Sequence, residues 1–185
     1  MSRSSSNTRL RTLVLIVAAG LGFGTPAGAA QSRIALADIY YLDTSGEPGE
    51  RTAEHAARTK LFQSVLGEEL ERDGAFAVEP LACGRPDCSI GAISVEDAVE
   101  AARRSGADYV LLGAIQKIST LIGTGRIDVI EIATKQDVVS RVLSFRGDTD
   151  DAFRRAAEFA ARSVAGAGLG RGKASPDAVT PAPKP

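Results

Sequence analysis

Residues 106–115 read GADYVLLGAI, and the stretch 109–115 within them is almost continuously apolar. A strand with one face in water alternates apolar and polar residues, whereas a strand covered on both faces need not. Successive side chains of a strand point to opposite faces, so Leu111 and Leu112 should enter different layers. The stretch therefore predicts a central strand that is buried on both sides.

Outward from this strand, the apolar spacing alternates between that of strands and that of helices. The spacing predicts helices over 52–72, 94–105 and 150–165, and strands over 34–41, 76–78, 109–115, 126–132 and 138–145. The order β-α-β-α-β-β-β-α is typical of the α/β class. We expect a single small domain with a mixed sheet, packed helices and a final antiparallel hairpin.

Two details of this reading concern which faces are buried. The first helix shows an apolar face at three- and four-residue spacing, made by Ala57, Leu61, Phe62, Val65, Leu66 and Leu70. In the last strand Arg141 shares a face with Val139 and Leu143, so the pattern leaves open which face is buried. Gly123 and Gly125 are interpreted as a bend between strands.

Four short motifs occur in a recognisable order: LDTSGE at 42–47, LERDGAFAV at 70–78, GADYVLLG at 106–113 and SFRGD at 144–148. In the first three, the chain resembles the N-terminal α/β domain of the TolB family. With the fourth motif it is also similar to a family of uncharacterised predicted secreted proteins of proteobacteria. The resemblance implies the TolB N-terminal-like fold and contact with other proteins of the cell envelope, and it implies no reaction.

The two ends of the chain read differently from the middle. Three arginines precede an apolar run over 13–23, and the small residues Ala27-Gly28-Ala29 follow it. This pattern predicts a secretory signal peptide over 1–29, exported by a Sec-type route to the periplasm, because the run is too short to span a membrane. The domain is then expected over 32–165. Residues 166–185 are rich in Gly, Ala and Pro, which predicts a disordered tail.

Charge excludes one class of partner. The whole chain carries 22 basic and 23 acidic residues, and removing 1–29 takes away three basic ones, leaving 19 − 23 = −4. A protein that binds nucleic acid in general needs a basic face to engage phosphates. We therefore expect no nucleic-acid partner, and no stable membrane span after signal cleavage.

The chain has two cysteines, Cys83 and Cys88, which enclose a Gly- and Pro-containing loop. Export favours a structural disulfide between them. The alternatives are a redox pair or half of a metal site. A zinc site needs four ligands, and no histidine lies at ligand spacing from the cysteines.

Few residues suggest catalysis. His55 is the single histidine, and without a nucleophile motif we interpret it as a solvated helix residue rather than a general base. Asp148, Asp150 and Asp151 could bind a cation together with Asp43, but a helix N-terminus also favours such charges. We predict no catalytic residue, no metal and no cofactor.

Contact residues are proposed at five positions: Tyr40, Tyr41, Asp43, Arg146 and Asp148. The adjacent tyrosines should point to opposite faces, one inward and one outward. The sequence thus favours a non-enzymatic periplasmic accessory protein that acts through contact with an unidentified envelope protein. The alternative is a periplasmic protein that binds a small ligand or a metal in a cleft beside the sheet.

Overall fold

The computed structural model describes residues 31–47, 51–72 and 74–169. Strands and helices alternate along them, as the apolar spacing predicts. The elements in chain order are β1 (Ser32–Leu36), β2 (Tyr40–Asp43), α1 (Thr52–Arg72), β3 (Phe76–Pro80), α2 (Val95–Ser105), β4 (Tyr109–Lys117), β5 (Ile122–Glu131), β6 (Gln136–Arg146) and α3 (Asp150–Ala165). The predicted α/β class is confirmed.

The strands form one mixed sheet in the order β3-β1-β4-β5-β6, with β2 beside β4 as well. The pairs β1–β3, β1–β4 and β2–β4 are parallel, whereas β4–β5 and β5–β6 are antiparallel. A parallel pair needs a long connection, and α1 and α2 supply those connections. The two antiparallel pairs confirm the predicted hairpin.

The predicted first strand is two strands separated by a bulge. Leu36 lies opposite Leu111, whereas Tyr40 lies opposite Ala114. The four residue steps from Leu36 to Tyr40 therefore match only three residue steps from Leu111 to Ala114 in β4. This excess of one residue is a β-bulge. The bulge lies within residues 37–39, and it changes the direction of the strand that follows.

Each face of the sheet has its own core. Leu111 is fully buried in a cluster with Phe62, Leu66 and other side chains of α1 and α3. Leu112 is 4% exposed and belongs to a second cluster beneath α2. The predicted two-sided burial of β4 is thus correct, and α2 is the layer that covers its second face.

Both shorter helices begin and end as their sequences predict. The Ser94 side chain accepts a hydrogen bond from the Asp97 N–H, which caps the start of α2. Gly106 ends that helix at a φ of 76°, a left-handed conformation that glycine adopts at little cost. Thr149 caps α3 in the same way as Ser94 caps α2.

One expectation about strands needs correction, and one open question is answered. Gly123 and Gly125 lie inside β5, not in a bend. At Gly123 the missing side chain leaves room for the Phe145 ring, because a Cβ there would come within 2.5 Å of it. On β6 the buried face is that of Val139 and Leu143.

The buried face of α1 also differs from the prediction at its N-terminal end. Ala57 is exposed, while His55 and Thr59 are buried together with Phe62. The first turns of α1 cover polar groups at the end of the sheet, so polar residues take the inward positions there.

The described residues extend past the predicted domain boundary at residue 165. Residues 166–169 form turns, and Leu169 packs against the core on the α1 side. The predicted signal peptide and the rest of the predicted tail, from 170 onward, lie outside the described residues. Among the helices that the structure describes, none is long and apolar enough to cross a membrane.

Candidate functional site

A cleft of about 560 Å³ opens beside the bulge. One wall is a stripe of α1 that includes Thr52, Ala56 and Lys60, and the base is formed by the bulge and β2. The loop that contains the disulfide supplies the opposite wall through Pro86 and Asp87. A volume of this size falls within the range of about 300–1,000 Å³ that is typical of ligand pockets.

Asp38, in the bulge, connects the walls of the cleft. Its carboxylate accepts a hydrogen bond of 2.8 Å from the Cys88 N–H and one of 3.4 Å from the Gln63 amide of α1. Cys88 is itself bonded to Cys83, so the expected disulfide is present. The bulge, the helix and the disulfide loop are therefore held together by one carboxylate.

A cluster of charges lies at the other end of the cleft, and its centre is buried. Lys117, the last residue of β4, is 4% exposed, and its Nζ lies 3.0 Å from Asp148 and 2.8 Å from Glu47. Asp148 is 8% exposed and also accepts a 2.7 Å hydrogen bond from Arg58 of α1. Asp43, at 3.8 Å from the Lys117 ammonium, completes the cluster.

These contacts fix the charge of both central groups. Burial alone would raise the pKa of Asp148, but the hydrogen bond from Lys117 and the charge of Arg58 hold it below its usual value. Burial would likewise lower the pKa of Lys117, but the carboxylates of Glu47 and Asp148 raise it. Near neutral pH the pair is an ammonium and a carboxylate, which are structural rather than reactive forms.

His55 lies between this cluster and the cleft, and it is buried. Its Nε2 is 3.4 Å from Asp148, and its Nδ1 is 3.7 Å from Asp43. Its ring stacks at a tilt on that of Tyr41, with 4.9 Å between the centroids. The interpretation of His55 as a solvated residue is therefore wrong, because the first turns of α1 pack over β2 and the start of α3.

The Tyr41 hydroxyl group is buried and has no hydrogen-bond partner among the described residues. Burial, together with the nearby charges of Asp43 and Asp148, raises the pKa of Tyr41 to about 12. The hydroxyl group is therefore neutral and able to donate.

The structure separates the five proposed contact residues. Tyr41 and Asp43 line the cleft, and Asp148 lies in the adjoining charged cluster. Tyr40 lies on the other face of the sheet against Gly91, and Arg146 is exposed at the end of β6. Tyr40 and Tyr41 are both half-buried, so the expectation that one of them points into solvent is wrong.

The acidic group before α3 has two roles. Asp150 and Asp151 lie in the first turn of the helix, where its dipole favours negative charge. Asp148 instead faces inward, and the cation between it and Asp43 is the ammonium of Lys117. Within 31–47, 51–72 and 74–169, no group of three or more His, Cys, Asp or Glu side chains could hold a metal ion.

Neither Lys117 nor Asp38 is among the site residues predicted from the sequence. A signal for Lys117 was present, because it follows Leu111 and Ile115 at even spacing and so shares their buried face. No comparable signal marks Asp38, whose role depends on a bulge and a distant loop.

Several solved structures have a similar fold. TolB from Acinetobacter baumannii matches with a TM-score of 0.50 and 14% identity, covering 76% of this chain and 29% of that one. The PelC dodecamer from Paraburkholderia phytofirmans matches with a TM-score of 0.49 and 16% identity, over 75% of this chain and 89% of PelC. The LpoB C-terminal domain from Salmonella enterica gives 0.41 and 15%, over 64% and 85%.

The likeness to TolB confirms the predicted TolB N-terminal-like fold. This chain spans 29% of the length of the TolB chain, so the two share one domain rather than a whole protein. No curated protein matches the sequence significantly. A family model named DUF3280, described as "Protein of unknown function (DUF2380)", matches residues 32–164. Since this match covers more than half of the sequence, the chain belongs to the DUF3280 family.

Proposed function

We propose that this chain is a non-enzymatic accessory protein of the periplasm, and that it acts by contact with another protein of the cell envelope. The observation that carries the proposal is the cleft of about 560 Å³, which is open to a partner while its carboxylates are engaged in structural hydrogen bonds. The shared fold with TolB supports a domain of the same architecture and nothing more specific.

The hydrogen bonds around the cleft explain why we propose binding rather than catalysis. A general acid or base must be free to exchange a proton with a substrate. Asp38 accepts hydrogen bonds from Cys88 and Gln63, and Asp43 accepts them from the N–H and hydroxyl groups of Ser45. These carboxylates maintain the shape of the cleft and its rim.

Two features support the periplasmic location. The disulfide between Cys83 and Cys88 is of a kind that persists in oxidising compartments. Residues 1–29 have the composition of a signal peptide, and we propose that it precedes a domain over 32–165, with a disordered tail beyond the turns at 166–169. N-terminal sequencing of periplasmic protein should find Ala30 or Gln31 as the first residue. An intact Met1 in a membrane fraction would contradict export by cleavage.

Affinity capture tests the proposed contact. The oxidised chain, immobilised through its C-terminus, should retain one envelope protein from a native periplasmic extract. As a control, the same chain is unfolded with urea and reductant before the extract is added. The unfolded chain should not retain that envelope protein. If the folded chain retains no more than the unfolded one, the proposal of a protein partner fails.

A small ligand is the second candidate, and the Tyr41 hydroxyl group is the observation that favours it. This buried group has no hydrogen-bond partner among the described residues and belongs to a side chain that lines the cleft, so a ligand acceptor that reaches it would supply the missing partner. A compound that binds there should raise the melting temperature of the protein. Tyr41→Phe should remove most of that increase, and the same increase in the variant would exclude this site.

A further inference from the structure

We propose that the cleft binds an extended, basic segment of a partner protein, and that this segment pairs with the free edge of β2 as an added strand. The inference rests on the proposed function, because it names the surface and the partner chemistry of the same contact. Strand addition uses main-chain hydrogen bonds for affinity and side-chain pockets for specificity.

Among the described residues, no strand covers the edge of β2 that faces away from β4. β3 ends at Pro80, opposite Leu36, and does not reach β2. Among the described strands, β2 pairs with β4 alone. The sheet therefore has a position beside β2, in line with β3, that no described strand occupies.

The hydrogen bonds of β2 show which main-chain groups face that position. The Thr44 N–H donates to the Lys117 carbonyl oxygen at 2.9 Å. In a parallel pair alternate residues bond to the same neighbour, so Leu42 also faces β4, while Tyr41 and Asp43 face the other way. Within the described part of the chain, no hydrogen bond is made by the N–H or the carbonyl group of Tyr41 or Asp43 on that side. These groups form the template that an added strand would use.

The bulge and the disulfide loop keep this edge accessible. The loop bends away after β3 and is fixed where the Cys88 N–H meets Asp38. Pro86 and Asp87 then form the wall that faces α1, and the base of the cleft between the two walls includes Ile39 and Tyr41. An incoming strand would lie between the loop and the helix.

The length of the cleft suits a short strand. Its helical wall extends from Thr52 to Gln63. At about 1.5 Å per residue, this stretch of helix spans about 16 Å. An extended segment of about five residues covers the same distance at about 3.3 Å per residue.

Charge and polarity define the side chains of the segment. Three aspartates, Asp38, Asp43 and Asp87, line the cleft. Among the described residues that line it with them, Lys60 is the one lysine or arginine. The groove that continues along α1 adds Glu68 and Glu71. The cleft also has apolar surface, at Ile39 and Tyr41 in its base and at Ala56 in its helical wall. Because strand side chains alternate, apolar residues would enter the base while lysines or arginines meet the acidic rim.

The test uses an octapeptide in which lysine alternates with valine, with a glutamate–valine octapeptide as its charge control. Binding to the oxidised full chain is measured by calorimetry, and main-chain pairing by amide hydrogen exchange. The lysine peptide should bind and should protect the amides of Tyr41 and Asp43, and the glutamate peptide should not bind.

Two variants of α1 separate the cleft from the rest of the helix. Ala56 and Ala57 are both exposed, but only Ala56 lines the cleft. Ala56→Phe should weaken peptide binding by about tenfold or more, and Ala57→Phe by less than about twofold. A second pair of variants controls for misfolding, because a misfolded protein would not bind the peptide more tightly. Lys60→Glu should strengthen peptide binding by about threefold, whereas Arg154→Glu, at an exposed position of α3, should not.

Three results would overturn the strand-addition proposal. The first is peptide binding without protection of the Tyr41 and Asp43 amides, and the second is equal binding of the glutamate peptide. The third is unchanged capture of the envelope protein by the Ala56→Phe variant, which would place the contact elsewhere and leave the proposed function intact. Failure of the wild-type chain to capture any envelope protein would refute the proposed function instead.

Discussion

Replacing Lys117 with methionine should destabilise the fold, because the ammonium is 4% exposed and lies 3.0 Å from Asp148 and 2.8 Å from Glu47. At an effective dielectric constant of about 20, two charges at that distance attract by about 5–6 kcal/mol, most of which offsets the cost of desolvation. Removing one member of a buried pair typically costs about 3–5 kcal/mol. Asp148 keeps the hydrogen bond from Arg58, so we expect the lower end, about 3 kcal/mol, in the free energy of unfolding.

Urea denaturation of four proteins measures this effect: wild type, Lys117→Met, Asp148→Asn and the double variant. The double variant should be less destabilised than the sum of the single variants, by about 1–2 kcal/mol, because each single change leaves a buried partner charge. The exposed pair Arg33–Glu79 is the control, and Arg33→Met should cost less than about 1 kcal/mol. Additive effects, or a loss at Lys117 as small as that at Arg33, would refute the reasoning.

Three further predictions follow from burial, titration and the disulfide. The pKa of Asp148 is lower in the folded protein than in the unfolded chain. Its ionised form therefore stabilises the fold fully at pH values above the pKa of an unfolded aspartate, and this stabilisation is lost as the pH falls through the lowered, folded-state pKa. Asp148→Asn should flatten the acid side of a plot of unfolding free energy against pH. Leu111→Ala and Leu112→Ala should each cost about 2–5 kcal/mol in urea denaturation, and a silent result for either would mean that one face of β4 is open. Replacing Cys83 and Cys88 together with serine should leave a folded protein that is less stable by about 2 kcal/mol, and an unchanged melting temperature would show that the short loop constrains nothing.

The sequence predicted the elements of this fold well because their signals are local. The apolar run at 109–115 identified the central strand, and Ser94 and Gly106 marked the ends of α2 correctly. Helix α3 has the predicted bounds as well. Each of these signals depends on neighbours within a few residues, so no knowledge of the tertiary structure was required.

The candidate site was predicted only in part, because it depends on contacts between distant residues. His55 resembles a surface residue until α1 is placed over β2, and its contacts with Asp148 join residues 93 positions apart. The role of Asp38 requires the bulge and the disulfide loop, 50 residues further along the chain. Pattern reasoning can find a residue that breaks an apolar face, but it cannot find the partner.

The arrangement of the strands also determines when each of them can gain a neighbour during folding. Glu131 and Gln136 close a hairpin of strands that are adjacent in sequence, so β5 and β6 can pair early. Ser32 instead pairs with Phe76, and Ile34 pairs with Tyr109, which lies much later in the chain. Because synthesis proceeds from the N-terminus, β1 is made first and waits longest for its second neighbour. The first strand of the domain is thus exposed for longest, and any factor that protects the nascent chain would act on residues 32–36.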